Sequence, residues 1–112
     1  DARMDEVYAA AYAFTDGTWR REGPITLQRP EALALPPGFT LAGNAFAAYG
    51  ERLPAGPRVE ALPTAGALLA LAPALLAAGA AVPAAEALPV YVRDKVAQTT
   101  EERQALKAGA AP

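Results

Sequence analysis

EVYAAAYAFTDGTW, residues 6–19, is the stretch that decides the fold. Its large side chains, Tyr8, Tyr12 and Phe14, alternate with small ones, which places them on one face of an extended strand. Asp16-Gly17 follows, and glycine readily accepts the positive φ that a two-residue turn requires. We therefore predict a β-hairpin. Its first strand spans residues 6–14 and is covered on both faces, and an antiparallel strand returns over about residues 19–27.

Shorter elements are predicted downstream from turn residues, prolines and short apolar runs. They are a helix at 30–35, a strand at 39–43, a brief helix capped by Asn44 and ending near Tyr49, a strand at 59–62, and a final edge strand at 88–93. This order of elements indicates an α/β fold with a mixed sheet and flanking helices.

The segment between Glu60 and Glu86 carries no charge, which raises the question of a membrane span. Glycines and prolines interrupt the segment, however, and its leucines fall within a helical arc of roughly 160°. We predict a helix capped by Thr64, kinked at Pro73 and ended by Gly79, with its leucine face buried against a sheet rather than in lipid. The leucines are Leu68, Leu69, Leu71, Leu75 and Leu76.

Composition excludes several function classes. The 112 residues suffice for one domain, and the chain contains neither His nor Cys, so thiol catalysis, thiolate metal sites and a Ser-His-Asp triad are ruled out. Its 10 basic and 12 acidic side chains nearly balance, which argues against a dedicated nucleic-acid binder.

Three acids near the start of the chain, Asp1, Asp5 and Glu6, form the one candidate carboxylate cluster. A magnesium-dependent site for phosphoryl transfer needs carboxylates that converge, often from different strands. On a strand, Asp5 and Glu6 point to opposite faces, and no second acidic strand completes such a site. Local ion pairing with Arg3 is the favoured interpretation.

The two ends of the chain resemble a known family. DARMDEVY (residues 1–8) and LPVYVRDKVA (residues 88–97) are similar to the stretches DARMGEVY and PVYLRN.VA of the TsaB (YeaZ) family, and FTLAGNA (residues 39–45) matches that family's strand-to-glycine step in the same order. The resemblance therefore covers most of the chain, as the C-terminal half of such a protein. Asp5 departs from the pattern, because the family usually has glycine there.

The resemblance implies one lobe of an actin-like ATPase (ASKHA, ribonuclease-H-like) fold over residues 1–97, with the N-terminal lobe absent from this chain, and a frayed polar tail over 98–112. It also implies a non-catalytic, cytoplasmic scaffold that supports TsaD, a glycoprotease-like relative, in threonylcarbamoyl transfer to tRNA adenosine. The resemblance assigns no catalytic residue, cofactor or metal ligand to any position of this chain. The family's motif positions, for which we expect a structural role, are Asp1, Arg3, Glu6, Tyr8, Tyr91 and Arg93.

Partner expectations follow from the same resemblance. A TsaD-like subunit is expected to bind mainly through the other lobe, a TsaE-like ATPase and a second copy are further candidates, and neither a membrane nor direct tRNA contact is expected. Two alternatives stay open. One is a glycoprotease-like peptidase or metal-dependent hydrolase that uses Asp1, Asp5 and Glu6, and the other is an interaction domain, unrelated to tRNA, that docks through its leucine helix.

Overall fold

The computed structural model describes residues 1–93 and 100–110, and it has an α/β fold. The strands are β1 (Val7–Thr15), β2 (Thr18–Gln28), β3 (Leu41–Gly43) and β4 (Arg58–Glu60). The helices are α1 (Phe46–Tyr49), α2 (Ala65–Ala77) and α3 (Thr100–Ala110), with 3₁₀ turns at Pro30–Ala32, Gly50–Arg52 and Ala84–Glu86.

The predicted hairpin is confirmed. β1 and β2 pair antiparallel, and Thr15 faces Thr18 across the turn. Asp16 and Gly17 have φ values of 54° and 77°, the pair of positive angles that a type I′ turn requires. A β-bulge shifts the register after Ala9: Ala9 pairs with Thr26, but Ala11 pairs with Glu22. Gly23, at φ 88°, lies within this bulge.

The two faces of β1 differ in coverage. Val7 is 3% exposed and its neighbours on that face are partly buried, whereas Tyr8, Tyr12 and Phe14 on the other face are 46–59% exposed. The prediction that both faces are covered is therefore wrong. Only the side of β1 that faces α1 meets the core, and the aromatic side has no layer over it in the described residues.

β3 and β4 pair in parallel, with Leu41 facing Arg58 and Gly43 facing Glu60. In the described part of the chain they form a sheet separate from β1–β2, so the strands build two two-stranded sheets instead of the one mixed sheet that was predicted. β3 and β4 are only three residues long, which limits how far their pairing extends.

A small core lies between β1 and the segment around α1. Val7, Tyr49 and Leu53 are buried there, and four partly buried side chains pack against them: Leu33, Leu41, Ala45 and Phe46. Leu53 directly follows the second 3₁₀ turn, so this turn places the Leu53 side chain in the core.

Three local predictions are corrected. Residues 30–35 form only a 3₁₀ turn at Pro30–Ala32, because the residue before a proline, here Leu35, avoids the helical region. Residues 88–93 form no strand. Asn44 does not cap α1, whose first flanking residue is Ala45, because its side-chain oxygen accepts a hydrogen bond from the N-terminal ammonium of Asp1 instead.

α2 begins and ends as predicted. The Thr64 hydroxyl accepts a hydrogen bond from the Ala67 N–H at 3.1 Å. At the other end, Gly79 has φ 77°, its N–H donates to the Leu76 carbonyl, and the Ala80 N–H donates to the Leu75 carbonyl, which is a Schellman motif. Pro73 lies inside the helix, as predicted.

The leucine face of α2, defined as Leu68, Leu69, Leu71, Leu75 and Leu76, is not buried. These side chains are 45–74% exposed, so the predicted packing of this face on a sheet is wrong for the described residues. The helix is 13 residues long, and none of the described helices combines the length and hydropathy that crossing a bilayer requires.

The polar segment 98–112, predicted as a frayed tail, contains α3, whose sequence TEERQALKAGA favours a solvated helix with acidic residues in its first turn. The division of the chain into a lobe over residues 1–97 and a tail over 98–112 stays a prediction.

We expect Leu53→Ala to lower the free energy of unfolding by about 3 kcal/mol, because it removes a buried side chain from a small core. Leu62→Ala is the matched control, since Leu62 is 64% exposed and its truncation should change stability by less than about 0.5 kcal/mol. Urea unfolding followed by circular dichroism measures both. Equal effects of the two substitutions would contradict the position of the core.

Candidate functional site: the motif cluster of residues 1–6

Residues 2–6 form a tight turn before β1. The Ala2 N–H donates to the Glu6 carbonyl at 3.0 Å, and the Glu6 N–H donates to the Arg3 carbonyl at 3.1 Å. Arg3, Met4 and Asp5 have φ values of 60°, 55° and 65°, so three consecutive residues adopt the left-handed conformation. This conformation costs about 1–2 kcal/mol per residue other than glycine, and the surrounding contacts must therefore hold the turn.

Asp1 ties the turn to the segment that follows β3. Its carboxylate accepts hydrogen bonds from the Arg3 N–H at 2.8 Å and from the Tyr49 hydroxyl at 3.0 Å. Its ammonium group donates to the side-chain oxygen of Asn44 at 2.8 Å. Partial burial, and then the charge of Arg3, lowers the pKa of this ammonium below its ordinary value.

Arg52 links the turn to the first 3₁₀ turn of the chain. Its guanidinium binds both carboxylate oxygens of Asp5, the second at 3.0 Å, and its Nε donates to Glu31. Arg29 also donates to Asp5, at 3.2 Å. The hydrogen bonds from Arg52 lower the pKa of Asp5 and the pKa of Glu31, and the same bonds raise the pKa of Arg52.

Arg93 reaches the same turn from a segment about 90 positions further along the chain. Its guanidinium donates to the carbonyls of Ala2 at 3.1 Å and Arg3 at 3.4 Å, and to the carboxylate of Glu6 at 3.0 Å. It also lies over the ring of Tyr8, 5.8 Å from the centroid. The Arg93 side chain is only 11% exposed, so these contacts form in a largely desolvated position.

The structure brings together five of the six predicted motif positions. Asp1, Arg3, Glu6, Tyr8 and Arg93 lie in this cluster. Tyr91 does not join it, because its side chain is 81% exposed. The structural role assigned to these positions stays a prediction.

The three acids considered for metal binding have separate cationic partners. Asp1 lies 3.7 Å from the guanidinium of Arg3, Asp5 pairs with Arg52, and Glu6 pairs with Arg93. Within residues 1–93 and 100–110, no group of three potential ligands is arranged to hold a metal ion. In this arrangement the carboxylates act as hydrogen-bond acceptors for arginine.

Sequence reasoning missed Arg29, Glu31 and Arg52, which complete the cluster. No spacing rule connects Asp5 with a side chain 47 positions away. The available signal was Asp5 itself. The stretch DARMGEVY that residues 1–8 resemble has glycine at this position, and a charged residue in its place suggests that a cation lies nearby.

An open groove of about 620 Å³ adjoins the cluster. Its walls are β1, part of β2, the loop over residues 33–36 and the segment over residues 39–46. The lining is mostly apolar, and its polar side chains are Asp1, Glu22, Asn44, Thr26, Gln28, Thr40 and the two tyrosines Tyr8 and Tyr12. The groove therefore suits an apolar segment better than a charged small molecule.

No protein-family model and no curated protein matches the sequence. Among solved structures, the chain is similar to YeaZ from Pseudomonas aeruginosa, with 40% identity over 81% of this chain and a TM-score of 0.71. It is also similar to a Pseudomonas aeruginosa protein described as having similarity to peptidase YeaZ, with 40% identity over 83% of this chain and a TM-score of 0.72.

The chain spans 46% of the length of each of these two solved chains. Together, the identity and the shared fold confirm the resemblance to YeaZ (TsaB). The extent of the match is consistent with a C-terminal half.

We expect the stabilising effect of Arg52 to depend on pH. The pKa values of Asp5 and Glu31 are lower in the folded chain than their ordinary values of 3.8 and 4.5. Their contribution is therefore present above those ordinary values and is lost as the pH falls through the folded values. The difference in free energy of unfolding between the parent chain and Arg52→Gln should be constant between about pH 6 and 8 and should shrink below about pH 4.

Arg58→Gln is the matched control for this experiment, because Arg58 donates to the backbone carbonyls of Gly50, Leu53 and Pro54. Its effect on the free energy of unfolding should not shrink over the same range of pH. Urea unfolding at a series of pH values measures both. An Arg52→Gln difference that persists unchanged at low pH would argue against the ion pairs.

We expect Met4→Gly to be more stable than Met4→Ala by about 1 kcal/mol, because position 4 has φ 55° and glycine adopts this conformation without strain. Comparing the two variants cancels the loss of the methionine side chain. At Ala47, in α1, the order should reverse, and Ala47→Gly should cost about 0.5–1 kcal/mol. Thermal unfolding measures all three, and a Met4→Ala variant as stable as Met4→Gly would contradict the left-handed turn.

Proposed function

We propose, from its similarity to YeaZ, that this chain is one lobe of a TsaB-like subunit with an actin-like ATPase (ASKHA) fold. In this proposal the subunit is a non-catalytic, cytoplasmic scaffold. It supports a TsaD-like protein in the transfer of threonylcarbamoyl to an adenosine of tRNA. The observation that carries the proposal is the 40% identity to YeaZ over 81% of the chain.

The arrangement of the motif cluster supports a scaffold better than a catalyst. Asp5 and Glu6 each accept hydrogen bonds from an arginine, so neither is a free base, nucleophile or open ligand. The hydrogen bonds from Arg52 also lower the pKa of Asp5, whereas a general base that works near neutral pH needs a raised pKa.

A scaffolding role would depend instead on the contacts that connect the two ends of the proposed lobe. Arg93 binds the backbone of Ala2 and Arg3 directly, so the end of the lobe fixes the turn that precedes β1. Because the chain spans under half of the solved YeaZ chains, the threonylcarbamoyl transfer and its partners are properties proposed for the whole protein. A TsaD-like subunit is the proposed main partner, and a TsaE-like ATPase is a further one.

A bacterial strain depleted of its own YeaZ tests this function. Expression of this lobe joined to the other half of a YeaZ protein should restore threonylcarbamoyladenosine in tRNA, measured by mass spectrometry of digested tRNA, and the joined protein should co-purify with TsaD. Restoration should fail when TsaD is absent. If tRNA stays unmodified although the joined protein is folded and abundant, the proposed function is wrong.

Within the same assay, Arg93→Gln should reduce the yield of folded joined protein, because it leaves the Glu6 carboxylate and the Ala2 carbonyl without the donor that they have in the structure. Breaking hydrogen bonds to a charged group costs about 2 kcal/mol. Arg21→Gln, an exposed position on the hairpin, is the control and should behave as the parent chain.

The peptidase alternative has one observation in its favour, the description of a structural neighbour as similar to peptidase YeaZ. The joined protein should show no hydrolysis of a casein substrate with Mg²⁺ or Zn²⁺ present. Metal-dependent hydrolysis that disappears on Asp5→Asn would overturn the scaffold proposal in favour of an enzyme.

A further inference from the structure

Met4 carries the only sulfur atom of the chain, which contains one methionine and no cysteine. It lies in the middle of the turn over residues 2–6, with φ 55°, and it is 62% exposed. A two-electron oxidant such as hydrogen peroxide converts an accessible thioether to a sulfoxide. Sulfur oxidation in this chain is therefore confined to one exposed position.

The Met4 sulfur accepts a hydrogen bond from the guanidinium of Arg93. The Nη1 atom of Arg93 lies 3.4 Å from the sulfur and 3.1 Å from the carbonyl oxygen of Ala2. Among the described residues, the other acceptors of this guanidinium are also oxygens, from the Arg3 carbonyl and the Glu6 carboxylate. A thioether is a weak acceptor, so the sulfur is the weakest of the partners that Arg93 has in the turn.

The two partners differ in their access to solvent. The Arg93 side chain is largely desolvated, whereas most of Met4 is exposed. An oxidant in solution therefore reaches the sulfur while the turn stays folded, and the product acts on a cation that has little water around it. In a core, a sulfoxide destabilises because it replaces a buried apolar side chain. Little of Met4 is buried, so that penalty is small here.

We propose that Met4 is a site of reversible oxidation that strengthens the contact of Arg93 with the turn over residues 2–6. In the reaction with hydrogen peroxide, the sulfur donates an electron pair to one peroxide oxygen, so that an S–O bond forms and the O–O bond breaks. The hydroxide that leaves takes up the proton of the transferred oxygen and becomes water. The sulfur is oxidised by two electrons, and peroxide is reduced by two.

The sulfoxide oxygen is a stronger acceptor on an atom that already contacts the cation. A hydrogen bond from a guanidinium to such an oxygen is charge-assisted, which makes it roughly twice as strong as a neutral one. Oxidation thus gives Arg93 an oxygen partner in place of its weakest one. A methionine sulfoxide reductase reverses the change. The inference needs only contacts within this chain and does not depend on the proposed function.

Thermal unfolding of the 112-residue chain, followed by circular dichroism before and after treatment with hydrogen peroxide, tests the inference. Intact-mass and peptide mass spectrometry confirm that one oxygen atom has been added at Met4. Oxidation should raise the Tm by at least about 3 °C, and a methionine sulfoxide reductase should return the Tm to its original value.

Two variants at position 4 are the matched controls, and both leave Arg93 unchanged. Met4→Gln supplies a carbonyl oxygen about where the sulfoxide oxygen would lie, and Met4→Leu supplies an apolar side chain without an acceptor. The Tm of Met4→Gln should exceed that of Met4→Leu by at least about 3 °C. Peroxide should change the Tm of neither variant, because neither contains sulfur.

An unchanged or lower Tm after complete oxidation of Met4 would overturn the inference, and so would a Met4→Gln variant no more stable than Met4→Leu. A chain that gains no oxygen at Met4, under conditions that fully oxidise a short methionine peptide, would overturn it by contradicting the exposure of the sulfur. A peroxide-induced shift of the same size in Met4→Leu would also overturn it, because the effect would then arise at another residue.

Discussion

The described fold depends on one side chain, the guanidinium of Arg93, which holds the first residues of the chain against a segment 91 positions away in the sequence. It binds two backbone carbonyls and one carboxylate in residues 2–6 and lies over an aromatic ring of β1. The Arg3 carbonyl also accepts from the Glu6 N–H, so losing this cation would leave two acceptors unsatisfied, the Ala2 carbonyl and the Glu6 carboxylate.

The turn that Arg93 holds has an unfavourable backbone conformation, and hydrogen bonds to its carbonyls and ion pairs with its carboxylates offset that free-energy cost. Three successive residues take the left-handed conformation, and none of them is glycine. Asp5 illustrates the exchange: glycine would relax the backbone at position 5, whereas aspartate supplies a carboxylate that Arg52 and Arg29 bind. Aspartate also tolerates positive φ better than most residues, which keeps the backbone cost of this exchange small.

The sequence predicted what local chemistry determines. The type I′ turn at Asp16-Gly17, the cap at Thr64 and the helix end at Gly79 each depend on residues within a few positions of one another, and all three are present. Whether another layer of the chain buries an apolar face could not be predicted in the same way. The aromatic face of β1 and the leucine face of α2 have the periodicity of buried surfaces, but periodicity does not say whether the covering layer belongs to the same segment of chain. Arg52 was missed because its partners are distant in sequence.

The contact of Arg93 with Ala2 joins residues 91 positions apart, whereas the hairpin joins neighbours. Local pairings form early in folding, and contacts of long sequence separation form late, because the intervening chain must first lose its freedom. During synthesis the hairpin can therefore form soon after it leaves the ribosome. The contacts of Arg93 with residues 2–6, in contrast, must wait until residue 93 has emerged. The contact between the two parts of the motif that identifies this chain is thus among the last contacts that synthesis allows to form.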